Sequence, residues 1–234
     1  MPDEQDELTR DAAVFARLFA DADDLTGYSY AARRVLAMSA ALFHRDGAAA
    51  TSVRDITAAC GLSPGALYKH FASKDDLLDV LVAHGHHRSE TRVAAALAAA
   101  PPDIVARVAA FVRAYVLGHL ENPQLAQLVR REYLHLSPDR RAAVVTRRRR
   151  MRSQLAELLR AGDESRVLDL VEGADATGVA VMILDMCSRT SEWYHAGRAG
   201  SPADLAERYV VAALRLSGAP APDRTTKPAA TVGG

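Results

Sequence analysis

The run Thr51–Leu77, TSVRDITAACGLSPGALYKHFASKDDL, sets cationic and polar side chains beside very small ones, a combination suited to contact with a nucleic acid. Lys69 and Lys74, with the polar tips of Tyr68 and His70, suit phosphate oxygens, which supply affinity but little sequence information. Base reading falls to Ser63, Gly65, Ala66, Lys69 and Thr51, because small residues let the backbone approach a groove closely. Ser52 and Arg54, at the start of the run's first helix, complete the candidate set. A second chemistry is written in His84, His86, His87 and Glu90, whose close spacing is that of metal ligands. The preferred reading is a solvated stretch of a connecting helix, so no metal or cofactor is expected. No nucleophile elbow or phosphate loop is present, and no enzymatic activity is expected.

These side chains need short, sharply bounded helices to carry them. Ser52 can cap a helix, and Asp55 three residues later completes a capping box. Ile56, Ala59 and Cys60 fall on its inner side, and Gly61 supplies the left-handed stop. Leu62 is expected to plug the turn from inside. Ser63 caps a second helix with Pro64 at its first position, where a missing N–H is harmless. Leu67 and Phe71 then face inward, while Ser73 and Asp76 start a third helix. Two well-capped short helices occur in many helical proteins, so the pattern alone leaves DNA contact and plain packing both open.

The stretch from about Tyr30 to Val82 resembles the DNA-binding domain of the TetR family of transcriptional regulators. The resemblance rests on Ala41-Leu42-Phe43 followed by Gly47, and on Thr51 to Ile56, Gly61-Leu62-Ser63, Gly65 to Tyr68, His70-Phe71 and Ser73 to Leu77, all in order and spacing. Thr57 and Cys60 stand where the family usually has alanine, and both are near alanine in size. The resemblance implies an all-α protein. Residues 28–88 would form the DNA-binding domain, with its helix-turn-helix at about 52–71, and residues 89–217 a helical ligand-binding and dimerisation domain. It also implies a double-stranded DNA operator, repression relieved by a small molecule, and a homodimer built from the last two helices.

Composition agrees with this layout. The chain has 234 residues, rich in alanine, leucine and arginine and balanced at zero net charge. Its length permits a substantial core. Residues 1–27 carry eight acidic residues against two arginines, an acidic extension unsuited to touching DNA. Leu8, Ala12, Phe15, Leu18 and Phe19 have helical spacing there, so an extra helix and a disordered tail are both open. Cys60 and Cys187 form no disulfide framework, which fits a reducing cytoplasm. No signal peptide is evident, and the apolar stretch Val179–Met186 is too short to span a membrane.

Further helices are predicted at 31–46, from Lys74 toward Ala100, and at 102–120, 123–135, 138–161, 164–196 with an interruption, and 202–217. Pro102, Pro123, Pro138 and Pro202 would each open one. The tail 218–234 reads as disordered. Val167–Cys187 is apolar on nearly all sides, which calls for a second covering surface, a partner subunit or the rest of a bundle. Ligand candidates are polar or aromatic residues on otherwise apolar faces: Phe111, Tyr115, His119, Tyr133, Met182, Asp185 and Trp193. Arg148 joins them, four residues after Val144 and three before Met151 on the inner face of its helix. A buried arginine needs an anionic partner, either Asp185, Glu132 or a ligand. Trp193-Tyr194, Gly200-Ser201-Pro202 and Ala206 to Val210 are also similar to TetR-type regulators of fatty-acid and steroid catabolism, which implies a hydrophobic or amphipathic ligand of the acyl-CoA type. A regulator acting through protein partners, with no small ligand, is the alternative.

Overall fold

The computed structural model describes residues 4–171, 174–194 and 200–219. Among these the chain forms helices and turns and no strand. The elements are α1 (Glu4–Ala20), a 3-10 turn (Asp23–Leu25), α2 (Tyr30–Asp46), α3 (Val53–Cys60), α4 (Pro64–Leu67), α5 (Lys74–Ala99), α6 (Ile104–Glu121), α7 (Pro123–Glu132), a second 3-10 turn (Tyr133–His135), α8 (Pro138–Glu164), α9 (Ala176–Ser188), α10 (Thr190–Trp193) and α11 (Pro202–Leu216). No helix among the described residues is long and apolar enough to cross a membrane.

Local chemistry explains most boundaries. Ser52 accepts from the Asp55 amide while Asp55 accepts from that of Ser52, and Gly61 ends α3 at φ 66°, ψ 33°. The side chains of Ser73 and Asp103 cap α5 and α6 by accepting from the amides of Asp76 and Ala106, and Pro123, Pro138 and Pro202 sit in the first turn of α7, α8 and α11. Pro102 does not open α6, because Asp103 takes the cap one residue later. Leu62 does not plug the turn: it is 37% exposed. The helix expected over 164–196 is broken. After α8 the amides of Val167 and Leu168 both turn back to the Gly162 carbonyl, with Arg166 at φ 58°, and α9 begins only at Ala176. Apart from Gly218 and Ala219, the tail lies outside the described residues.

The acidic extension is folded where it is described. Phe15 and Phe19 are fully buried, and the Phe19 ring meets that of His84 edge-on at 5.0 Å. Arg33 holds the end of α1 through the carbonyls of Phe19 and Ala20. Apolar residues gather in two clusters. One joins α1, the helix-turn-helix unit and the near parts of α5 and α7, including Leu125, Leu128 and Val129, and reaches Leu136 and Val144. The other fills the bundle of α6, α8, α9 and α11 around Phe111, Leu155 and Ile183. The first cluster therefore crosses the division expected near residue 88. Gly85 permits this closeness, since a Cβ there would come within 2.3 Å of the Val129 side chain.

Candidate nucleic-acid interface and ligand cavity

The tip of the helix-turn-helix presents Ser63, Gly65, Tyr68, Lys69 and His70 outward, with Ser52 and Arg54 exposed on α3 and Ala66 half-buried. Leu67 and Phe71 anchor the tip from below, 0% and 1% exposed. No atom lies near a Cβ built on Gly65, so backbone there is open to approach. Two predicted contacts are corrected. Thr51 is buried, and its hydroxyl donates to the Gly47 carbonyl at 2.9 Å, so it braces the loop before α3 and cannot read bases. The Lys74 ammonium donates to the carbonyls of Ala48 and Thr51 at 2.7 and 2.9 Å, inside the protein and not toward phosphate. Lys74→Ala is expected to lower the melting temperature and weaken DNA binding while leaving the salt dependence of affinity unchanged; a flattened slope in salt titrations would restore its phosphate role. Tyr30 is 81% exposed at the start of α2, and the preceding Tyr28 stacks on Phe71 at 5.7 Å.

Behind the tip, α7 grips the DNA-binding unit. The buried Glu132 carboxylate accepts the Ala48 amide at 2.8 Å and is held by Arg131, whose guanidinium also donates to the carbonyls of Phe43 and His44. Gln127 meets the His44 ring at 2.9 Å. On α8, Arg140 donates to the Asp75 carbonyl at 2.7 Å and pairs with Asp76 at 2.9 Å. Glu132 is thus committed to this grip and is not the partner of Arg148.

The opposite face of α7 lines a half-open cavity of about 340 Å³, shared with α5, α6, α8 and α9. Of the predicted ligand residues, Tyr115, His119, Arg148 and Asp185 stand on its wall. Phe111 does not: it is fully buried core, stacked behind Tyr115. Tyr133 lies beneath Arg148, whose guanidinium sits 3.8 Å from the ring centroid, a cation–π contact that aims the arginine. Met182 falls off the wall because α9 turns Val181, Leu184, Asp185 and Ser188 toward it at helical spacing. Trp193 is exposed on α10 and also lies off the wall.

The wall is strongly basic. Arg92 pairs with Glu121, Arg130 with Glu192 and Arg147 with Glu90. Asp185 pairs with Arg189 at 3.4 Å, so it does not neutralise Arg148. Among the described residues no carboxylate lies within ion-pair distance of Arg88, Arg148 or Arg152. The missed residues are Arg88, Arg152 and His86. The histidine run does not behave as one solvated stretch. His84 is buried against Asp24, His87 reaches Asp23, and His86 enters the cavity wall. Asp23, Asp24 and His87 hold ligand-type atoms within 4.8 Å of one another. Burial pulls the His86 imidazole down to about 3, aided by the nearby guanidinium groups of Arg148 and Arg147. Burial also lowers His119 and raises Tyr115. All three are uncharged at neutral pH.

Residues 35–81 match the family model of bacterial regulatory proteins of the tetR family, and residues 101–217 that of the tetracycline repressor-like C-terminal domain. A bacterial regulatory protein of the tetR family from Rhodococcus RHA1 superposes with a TM-score of 0.75 at 30% identity, over 82% of this chain and 99% of that one. The chain belongs to the TetR family. Among TetR-family relatives, the HTH-type transcriptional repressor KstR2 of Rhodococcus jostii is 43% identical over 61 residues, 26% of this chain and 30% of that one. The chain spans less than a third of the length of the curated relatives it matches. AibR, solved in complex with isovaleryl coenzyme A and operator DNA, has a TM-score of 0.70 at 22% identity, over 81% of this chain and 99% of that one, a likeness of fold alone.

Proposed function

We infer that this TetR-family protein is a sequence-specific DNA-binding repressor released from its operator by an amphipathic, anionic small molecule. One observation carries the reading: α7, ten residues long, lines the cavity with Leu125, Ala126, Val129 and Arg130 and grips the DNA-binding unit with Gln127, Arg131 and Glu132. A ligand that displaces the cavity face of so short a helix moves the grip with it. Such a ligand releases DNA only if it binds the released state more tightly. Arg88, Arg148 and Arg152, with no carboxylate partner among the described residues, suit a phosphate or carboxylate, and a fatty or steroid acyl-CoA thioester combines such charges with an apolar body. The ligand in the AibR complex points the same way. The protein acts in the cytoplasm as a homodimer. Met182 and Trp193, 53% and 45% exposed near the last helices and off the cavity wall, support a second copy covering them. Two heads then reach successive major grooves, about 34–36 Å apart. The proposed division places DNA contact in residues 28–88 and ligand binding and dimerisation in 89–217.

Fluorescence anisotropy on the DNA upstream of the protein's own gene, with and without acyl-CoA esters, tests this. Selective binding released by an ester is the expected result. In Arg148→Ala the ester concentration needed for release should rise by roughly tenfold or more, since a hydrogen bond to a charged group is lost. Selective DNA binding that no ester disturbs would instead favour a regulator acting through protein partners.

A further inference from the structure

The acidic turn after α1 carries a cluster that neither DNA contact nor the cavity uses. Asp23 and Asp24 are consecutive in the 3-10 turn, and α5 brings His84 and His87, three residues apart on one face, against them. His87 Nε2 lies 3.0 Å from Asp23 Oδ1, and Thr91 Oγ1 lies 3.5 Å from the same nitrogen. Asp23 Oδ1 also accepts the Asp24 amide at 2.9 Å, which fixes the two carboxylates side by side. His84 is 1% exposed, and its Nδ1 lies 2.9 and 3.0 Å from the two oxygens of Asp24. A carboxylate faces that nitrogen, so it carries the proton and donates. His84 thus orients Asp24 from inside the protein, while its Nε2 is buried with no partner among the described residues. Among those residues, neither carboxylate has an arginine or lysine within ion-pair distance. Two adjacent anions are therefore held in place with only imidazoles beside them.

We propose that Asp23, Asp24 and His87 bind a divalent transition-metal ion of the Zn2+ type, with His84 as the positioning residue behind Asp24. One imidazole nitrogen beside two carboxylates suits such an ion better than Mg2+ or Ca2+, which favour oxygen throughout. The three side chains offer ligand atoms within 4.8 Å of one another. Donors on one zinc ion, at about 2.0–2.2 Å each, lie at most about 4.4 Å apart, so the exposed Asp23 need move only a few tenths of an ångström. Water completes the shell on the exposed side. The buried donor behind Asp24 matches the way ligating carboxylates are held by groups outside the shell. His86 and Glu90 take no part, since α5 turns them to the cavity wall. The ion would tie the acidic extension to α5, the helix that runs from the DNA-binding unit past the cavity. This site is independent of the acyl-CoA reading.

The test is calorimetric titration of untagged, EDTA-treated full-length protein with ZnCl2, with melting temperatures read at each ratio. Wild type should bind one zinc per chain and melt higher as the site fills, because an ion that binds only the folded state stabilises it. Asp23→Asn and His87→Gln should each weaken zinc binding by about tenfold or more and lose the rise in melting temperature. His135→Gln, an exposed histidine far from the turn in sequence, should leave both unchanged and so exclude general histidine binding. The Asp23 side chain is 77% exposed, so Asp23→Asn keeps the fold and the comparison decisive. No zinc binding by wild type overturns the site, and so does equal affinity in wild type and both variants. Mg2+ that displaces zinc at equal concentration would overturn the role of His87, since a bare acidic patch would behave that way.

Discussion

Phe19→Ala is expected to destabilise the protein by about 3–5 kcal/mol, the usual consequence of removing a large aromatic side chain from a packed interior. The residue belongs to an acidic extension whose charge suggests a solvated tail, yet its ring is fully enclosed. It lies 6.0 Å from Phe15 and edge-on to His84, and its carbonyl accepts from Arg33. Deleting the ring leaves a void bordered by α1, α2 and α5, three elements fixed by other contacts and unable to collapse freely. For a chain of this size the melting temperature should fall by roughly 6–20 °C. Chemical denaturation followed by circular dichroism measures the loss directly. A change below about 1 kcal/mol would show that the extension does not pack as described.

Acid should unfold the protein earlier than its carboxylates alone would dictate. His84, His86 and His119 all have folded-state values below the ordinary histidine value, in each case chiefly through burial. In the unfolded chain each takes a proton near pH 6.5. Between that value and the lower folded one, the unfolded state binds more protons, so stability rises with pH and is lost as pH falls. For His86 the window runs from about 6.5 down to about 3. Each such histidine contributes a slope of at most about 1.4 kcal/mol per pH unit. At His84 burial lowers the value while Asp24 opposes the shift. Urea midpoints measured from about pH 7.5 to about pH 5 should therefore fall steeply below about pH 6.5. His119→Gln should flatten the profile even if it lowers stability overall. Midpoints that stay level across the range would mean these rings are charged, or solvated, in the folded protein.

What could be read from the sequence was mostly what is decided locally. The Ser52–Asp55 capping box, the left-handed Gly61 and the prolines of α7, α8 and α11 act over three or four residues, so spacing alone exposes them. The apolar stripe of α1 was visible too, but what it packs against was not. The failures lie where distant parts of the chain meet. Lys74 looks like any cation beside DNA until the carbonyls of Ala48 and Thr51 close on it. His84, His86 and His87 look like one cluster in the sequence. A helix turns about 100° per residue, and α5 sends His86 to the cavity while His84 and His87 both meet the acidic turn Asp23–Leu25. The break after α8 carries no proline at its bend, and its one glycine, Gly162, lies inside the helix, where a Cβ would come within 2.4 Å of the Leu168 side chain. It comes from Val167 and Leu168 folding back on Gly162, a contact that apolar composition cannot announce.

The apolar cluster that runs from α1 through the helix-turn-helix into Leu125, Leu128, Val129, Leu136 and Val144 limits how this protein can be recombined. A chimera joined near residue 88 would give the head a foreign α7, with different side chains against Ala48, Phe43 and Gly85. Grafting this head onto a relative's body should therefore yield a responsive switch only when α7 and the start of α8 travel with it.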